Sequence, residues 1–115
     1  MLVIEELKKV NLDHNHTKTL NNIKIGGYFM SVQCGNVYYS DPRFKTSLNN
    51  YKTFELALFN SNNEWINIRN DKFIKEFSRY EELISLSDGW TGRTEVFAYV
   101  HVDLLNDLYL YLKTQ

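Results

Sequence analysis

The chain has 115 residues, of which 43% are hydrophobic and 15% aromatic, and its formal net charge is −1. This length is enough for one domain with its own hydrophobic core, and the apolar content is too high for a disordered chain. The near-zero charge provides no long-range attraction to nucleic acid or to an anionic membrane, and no apolar run is long enough to span a bilayer.

Residues 2–10 predict a short amphipathic helix, because Val3, Leu7 and Val10 recur at helical spacing. Beyond Lys24 the hydrophobic period changes to two, which is typical of strands. The predicted strands cover residues 24–34, 37–40, 53–59, 65–68 and 95–102. Gly35-Asn36 separates the first two as a hairpin signal.

Two more helices are predicted in the second half of the chain. Residues 70–86 have an apolar stripe at helical spacing, formed by Phe73, Phe77, Tyr80 and Ile84, and Asn70 or Asp71 can cap its first turn. The last helix follows Asp103 as its predicted cap. Its buried stripe is formed by Leu104, Leu105, Leu108 and Leu112.

This order of elements predicts an α+β fold over residues 1–115 as a single domain. Strands joined by short turns pair antiparallel, so we expect a curved, mainly antiparallel sheet of about five strands. Two to three helices should pack on one face of that sheet.

Cys34 is the only cysteine, and the N-terminal residues lack the pattern of a secretion signal. Both features predict a cytoplasmic protein. Cys34 falls on the apolar side of its predicted strand, so we expect an inert, buried thiol rather than a nucleophile.

The tripeptide His14-Asn15-His16 repeats the letters that name a nuclease superfamily, but contiguous residues in a polar loop do not form that superfamily's metal unit. A metal site is a separate hypothesis. His14, His16, His101 and Asp103 could together supply ligands for zinc in a metal-dependent hydrolase. That hypothesis needs two distant segments to converge, so we expect no metal and no other cofactor.

A second alternative is binding of RNA or single-stranded DNA. Aromatic residues of the predicted strands, namely Tyr28, Phe29, Tyr38 and Tyr39, could stack on bases. The neutral chain lacks the electrostatic attraction that dominates such binding, and aromatic strand residues usually pack across strands.

Binding of a protein partner is the function that the sequence favours. Loop 87–94 contains two glycines that bracket a tryptophan, and the alternation of residues 95–101 turns aromatic side chains away from the valines. The expected contact residues are Trp90, Arg93, Phe97, Tyr99, Arg43 and Phe44. The same open face could equally form a homodimer.

No acidic pair, catalytic triad or phosphate-binding loop is recognisable in the chain. We therefore expect a small non-enzymatic protein that binds another macromolecule, of the kind that phages and mobile elements use to inhibit a host enzyme. The alternatives are the histidine-based hydrolase and the nucleic-acid-binding protein described above.

Overall fold

The computed structural model describes residues 2–11, 19–44, 46–89 and 94–115. Its strands are β1 (Ile23–Ile25), β2 (Tyr28–Gln33), β3 (Thr53–Asn60), β4 (Ser87–Asp88) and β5 (Val96–His101). Its α-helices are α1 (Leu2–Val10), α2 (Lys72–Lys75), α3 (Tyr80–Ser85) and α4 (Val102–Leu112). The strands form one antiparallel sheet in the order β1-β2-β3-β5-β4, which confirms the α+β class.

One continuous hydrophobic core lies between the helices and one face of the sheet. The inner side chains of β2 and β3 are those that the alternation predicted. They are Tyr28, Met30 and Val32 from β2 and Phe54, Leu56 and Leu58 from β3. The opposite face of these two strands contains Phe29, Glu55 and Phe59, which are only half-buried.

The first predicted strand is in fact two strands joined by a tight turn at Gly26-Gly27. Gly26 has a φ of +57°, and a Cβ at this position would collide with the main-chain oxygen of Leu112 at the end of α4. The Gly27 N–H donates to the side chain of Gln115 at 3.1 Å. Only glycine fits a turn that combines a left-handed conformation with such a close backbone approach.

The first and last helices form where the apolar stripes predicted them, and they pack on each other. The Val3 N–H donates to Asn106 Oδ1 at 3.0 Å, and the Tyr109 hydroxyl donates to Glu6 at 3.1 Å. The predicted cap of α4 was wrong by two residues, because His101 occupies the N-cap position and not Asp103.

Two predicted strands, 37–40 and 65–68, were wrong. Residues 35–40 fold into a compact turn around the buried Ser40 hydroxyl, which accepts from the Gly35 N–H at 3.1 Å. In the second segment only Trp65 pairs with β3, through a bridge to Phe59. Pairing stops there because Asn67 begins a turn, in which its side chain accepts from the Arg69 N–H at 2.9 Å.

The predicted helix over 70–86 is divided into α2 and α3. Asp71 caps α2 as expected, by accepting from the Ile74 N–H at 3.0 Å. The Tyr111 hydroxyl donates to the Phe73 carbonyl at 2.5 Å, and the Phe77 N–H turns to the Ile74 carbonyl instead. An uninterrupted α-helix would have joined Phe77 to Phe73, so these two bonds end α2.

A bulge interrupts β5 and reverses its alternation. Leu56 of β3 pairs with Phe97, whereas Phe54, two residues earlier, pairs with Val100, three residues later. The extra residue is accommodated by Tyr99, which adopts a left-handed φ of 54°. Phe97 and Val100 therefore both face the core, and the expectation that Phe97 lies on the outer face was wrong, because its side chain is 1% exposed.

Within the described ranges, no helix is long and apolar enough to cross a membrane.

Candidate functional site

Exposed apolar side chains concentrate beside the bulge in β5. We define the tyrosine patch as Val37, Tyr39, Arg43, Phe44 and Tyr99. Its apolar members are exposed by 53% at Val37, 37% at Tyr39, 62% at Phe44 and 44% at Tyr99. Three of them belong to the segment 37–44, and the fourth, Tyr99, contacts Tyr39; together they make up four of the seven exposed large hydrophobic residues of the described chain.

Buried hydrogen bonds fix the loop of residues 37–44, which contains four of the five patch residues. The Ser40 hydroxyl, which has no exposed surface, accepts from the Gly35 N–H and donates to the Pro42 carbonyl at 2.9 Å. The Lys52 N–H donates to the Asp41 carbonyl at 2.9 Å and joins the loop to the start of β3. The backbone of the loop is therefore held in one arrangement.

Tyr39 joins this loop to the bulge. Its carbonyl accepts from the Tyr99 N–H at 3.1 Å, and the two rings lie 5.8 Å apart in a tilted arrangement. The Arg43 guanidinium stands 5.3 Å from the centre of the Tyr39 ring, within the range of a cation–π contact. One tyrosine thus contacts both an aromatic and a cationic neighbour.

Glu55 lies beneath the loop on the outer face of β3. One of its carboxylate oxygens accepts from the Tyr39 N–H at 3.3 Å. Burial raises the pKa of Glu55, while the Tyr39 N–H and the Arg43 charge oppose that shift. The carboxylate therefore helps to hold Tyr39 in place and partly balances the Arg43 charge.

Phe44 is held through its main chain. The Tyr51 hydroxyl donates to the Phe44 carbonyl at 2.5 Å and accepts from the Thr46 N–H at 3.2 Å. Cys34 lies near Tyr51, half-buried against the core, and burial raises the pKa of its thiol to about 11. A thiol that remains protonated at neutral pH is a poor nucleophile.

Three of the six predicted contact residues, Arg43, Phe44 and Tyr99, come together in the patch. Phe97 is in the core, and Trp90 and Arg93 lie outside the described residues. Sequence reasoning considered Tyr39 only for base stacking and missed Val37, because the pattern of residues 37–40 predicts a strand. The sequence predicts a turn at Ser40-Asp41-Pro42, but its β-forming residues do not indicate that residues 35–40 themselves form a compact turn.

Of the four residues proposed as zinc ligands, His101 and Asp103 are within the described residues, and His14 and His16 lie outside them. The Asp103 N–H donates to His101 Nδ1 at 3.2 Å, and one oxygen of the Asp103 carboxylate lies 2.9 Å from the same nitrogen. Asp103 also lies 3.8 Å from Arg79. Across the described ranges, no group of three His, Cys, Asp or Glu side chains is arranged to hold a metal ion.

The aromatic residues considered for base stacking are dispersed. Tyr28 faces the core and its hydroxyl donates to Asp71 at 2.9 Å, so its ring is not available. The Tyr38 hydroxyl is hydrogen-bonded to Thr19 at 2.7 Å. Phe29 and Tyr39 remain on the outer side, at opposite ends of the sheet face.

A buried ion pair lies at the other edge of the sheet. Glu95 is 3% exposed, and its Oε2 accepts from Arg69 Nη1 at 2.5 Å and from the Ser87 hydroxyl. Its Oε1 is buried and has no hydrogen-bond partner among the described residues. Arg69 therefore provides the main compensation for a carboxylate that is almost fully removed from water.

The fold and the patch define a small α+β protein with a preformed aromatic surface. No family model matches the chain, and neither does any curated protein or solved structure.

The bulge predicts that glycine is more stable than alanine at position 99, the reverse of the usual order in a strand. Glycine is normally less stable than alanine in a strand by about 0.5–1 kcal/mol. At the Tyr99 φ of 54°, alanine is strained by about 1–2 kcal/mol and glycine is not. We expect Tyr99→Gly to be about 1 kcal/mol more stable than Tyr99→Ala in urea unfolding. The control is Ala98→Gly, which should destabilise; alanine proving better at position 99 would contradict the left-handed bulge.

Proposed function

We propose that this protein is a non-enzymatic binding protein that docks a protein partner on the tyrosine patch. The observation that supports this most directly is the cluster of exposed apolar side chains on a loop fixed by buried hydrogen bonds. A loop whose backbone is already fixed loses little conformational entropy on association, so more of its contact energy remains as affinity.

The residue types in the patch favour a protein partner. Tyrosine and arginine are enriched among the residues that dominate binding energy at protein interfaces. Val37 and Phe44 add apolar area that is costly to leave in water. A pair of tyrosine rings beside one arginine provides both a flat apolar surface and a planar hydrogen-bond donor.

The local charge favours a protein over a nucleic acid. Arg43 is the one basic member of the patch, and Glu55 lies next to it. Asp88 is close enough to Glu55 to raise its pKa further. A surface with this balance lacks the concentration of cations that a phosphate backbone requires.

A photo-crosslinking experiment tests this proposal. A photoreactive phenylalanine analogue at position 44 should capture the partner in native-host extract, and mass spectrometry then identifies it. With the purified partner, Tyr39→Ala and Tyr99→Ala should each weaken binding by about 2 kcal/mol, which is roughly 30-fold. The matched control is Leu110→Ala, since Leu110 is as exposed as Tyr99 but lies on α4.

Unchanged affinity in both tyrosine variants, with an intact fold by circular dichroism, would contradict the proposal. An equal loss of affinity in Leu110→Ala would also contradict the proposal, because the partner would then contact α4 as well as the tyrosine patch. Specific capture of RNA at position 44 would favour the nucleic-acid-binding alternative instead.

The narrower prediction is that the partner is a host enzyme that the protein inhibits, as phage accessory proteins do, and that this happens in the cytoplasm. The single free cysteine supports the location, because a reducing compartment keeps such a thiol unpaired. Inhibition of the captured enzyme by purified protein, lost in Tyr99→Ala, is the expected result.

A further inference from the structure

A second surface lies at the opposite end of β3 from the tyrosine patch. Lys24, Phe29, Phe59 and Trp65 are successive partners across β1, β2, β3 and the bridge that follows. Residues directly opposite in antiparallel strands point to the same side, so these four form an aromatic row on the outer face. With strands about 4.8 Å apart, the row is roughly 14 Å long.

The rings of the aromatic row remain accessible. The Phe59 and Trp65 rings lie 4.6 Å apart in a tilted arrangement, and Trp65 is 40% exposed. Lys24 Nζ stands 6.0 Å from the centre of the Phe29 ring. The row therefore offers a continuous, partly exposed aromatic surface rather than a packed core.

A cleft of ≈ 590 Å³ opens beside this row, between residues 20–22 on one side and the 61–63 turn on the other, with Phe29 in its lining. This volume falls within the range of about 300–1,000 Å³ that is typical of small-molecule sites. We call it the amide cleft, because Asn21, Asn22, Asn62 and Asn63 contribute to its lining.

Both sides of the amide cleft are fixed in place. The buried Gln33 side chain accepts from the Leu20 N–H at 2.7 Å and donates to the Leu20 carbonyl at 2.8 Å. On the other side, Asn60 Oδ1 accepts from the N–H groups of Asn62 and Glu64, at 2.9 and 3.0 Å. The cleft is therefore preformed.

The polar groups that the described residues contribute to the amide cleft are uncharged. None of the described residues that line it has a titratable side chain. The side-chain amides of Asn22, Asn62 and Asn63 make no hydrogen bond within the described part of the chain. Each amide can donate two hydrogen bonds and accept two, which suits a ligand whose groups both donate and accept.

We propose that the amide cleft and the aromatic row bind a neutral saccharide. A pyranose ring has a face of C–H groups that can pack on an aromatic ring, and its hydroxyls each donate and accept hydrogen bonds. Uncharged amides beside exposed rings match both features. A phosphorylated or polyanionic ligand would need several cations, and Lys24 is the one basic side chain of the row.

The probes are neutral tetrasaccharides of glucose, N-acetylglucosamine, galactose and mannose, titrated at millimolar concentration into the isotope-labelled protein. At least one should cause saturable NMR shift changes at the Asn22, Asn62 and Asn63 side-chain amides and at the Trp65 indole N–H. Asn62→Ala and Trp65→Ala should each weaken that binding roughly tenfold. Asn36→Ala is the matched control, because Asn36 is an exposed asparagine at the other end of the sheet.

Failure of all four probes, and of a wider array of neutral glycans, would overturn the proposal. Equal weakening by Asn36→Ala would also overturn it, because the shift changes would then not report the cleft. Adenosine and uridine are titrated in parallel, and saturable binding of a nucleoside without saccharide binding would assign the cleft to a different ligand class. The result is independent of partner binding on the tyrosine patch, since the two surfaces share no residue.

Discussion

Replacing Phe97 by alanine is expected to lower the free energy of unfolding by about 3–5 kcal/mol. The ring is almost fully buried opposite Leu56, and its removal leaves a cavity that the surrounding strands and helices cannot close. Chemical denaturation monitored by circular dichroism measures the loss. A simple alternating strand would instead place Phe97 on the outer face, where the same change would cost less than about 1 kcal/mol.

Val100 and Tyr99 provide the comparison that makes this result informative. Val100→Ala should destabilise whether or not the bulge exists, because Val100 faces the core in both arrangements. Tyr99→Ala should cost much less than Phe97→Ala, since the Tyr99 ring is half exposed and packs on the ring of Tyr39 at the surface. A small effect at Phe97 with a large one at Tyr99 would show that the strand has no bulge.

Replacing Arg69 by methionine is expected to cost about 3–5 kcal/mol, toward the lower end because the Arg69 side chain is 33% exposed. The change leaves the Glu95 carboxylate buried with the Ser87 hydroxyl as its remaining hydrogen-bond partner in the described structure. Urea denaturation at neutral pH measures the effect. Methionine preserves most of the side-chain volume, so the loss reflects the uncompensated charge.

The double variant Arg69→Met/Glu95→Leu separates charge from packing. Removing both charges should recover most of the lost stability, because well-packed apolar residues often replace a buried ion pair at little net cost. Arg79→Met is the control, since the Arg79 ion pairs with Glu82 and Asp107 are half exposed. An Arg69→Met loss no larger than that of Arg79→Met would contradict the importance of the buried pair.

The elements that the sequence predicted correctly are those whose hydrophobic period is uninterrupted. Leu104, Leu108 and Leu112 repeat along one side of α4, and Tyr28, Met30 and Val32 alternate along β2. Both elements are stabilised by burying one face, and the spacing of hydrophobic residues in the sequence indicates which face is buried.

The bulge in β5 could not have been predicted in the same way. The segment Val96–His101 contains no glycine, which is the usual sign of a left-handed residue, and its alternation looks regular. The bulge exists because Phe97 and Val100 both fit the core opposite β3, and the burial of two apolar side chains outweighs the strain at Tyr99. The balance between burial and strain depends on the packing against β3, so the sequence of β5 alone does not indicate it.

Three of the six expected contact residues, Arg43, Phe44 and Tyr99, belong to the tyrosine patch. They were selected by residue type, whereas the contact that joins Arg43 and Tyr99 runs through Tyr39. The sequence predicts a turn at Ser40-Asp41-Pro42, but it does not indicate that the Ser40 hydroxyl bonds to the Gly35 N–H and the Pro42 carbonyl, contacts that hold the loop where Tyr39 meets Tyr99. The types of residue suited to a binding surface could therefore be recognised from the sequence, whereas the contacts that bring them together could not be predicted.

The packing of α1 against α4 has a consequence for how the chain folds during synthesis. The bond from the Val3 N–H to Asn106 joins residues 103 positions apart, so α1 leaves the ribosome long before its partner helix is made. Strands β1, β2 and β3 can pair with one another in that interval, whereas the apolar face of α1 has no α4 to pack against until α4 is synthesised. Helix α4 therefore completes the core to which α1 contributes, and a chain halted before α4 leaves Val3 and Leu7 exposed to chaperones.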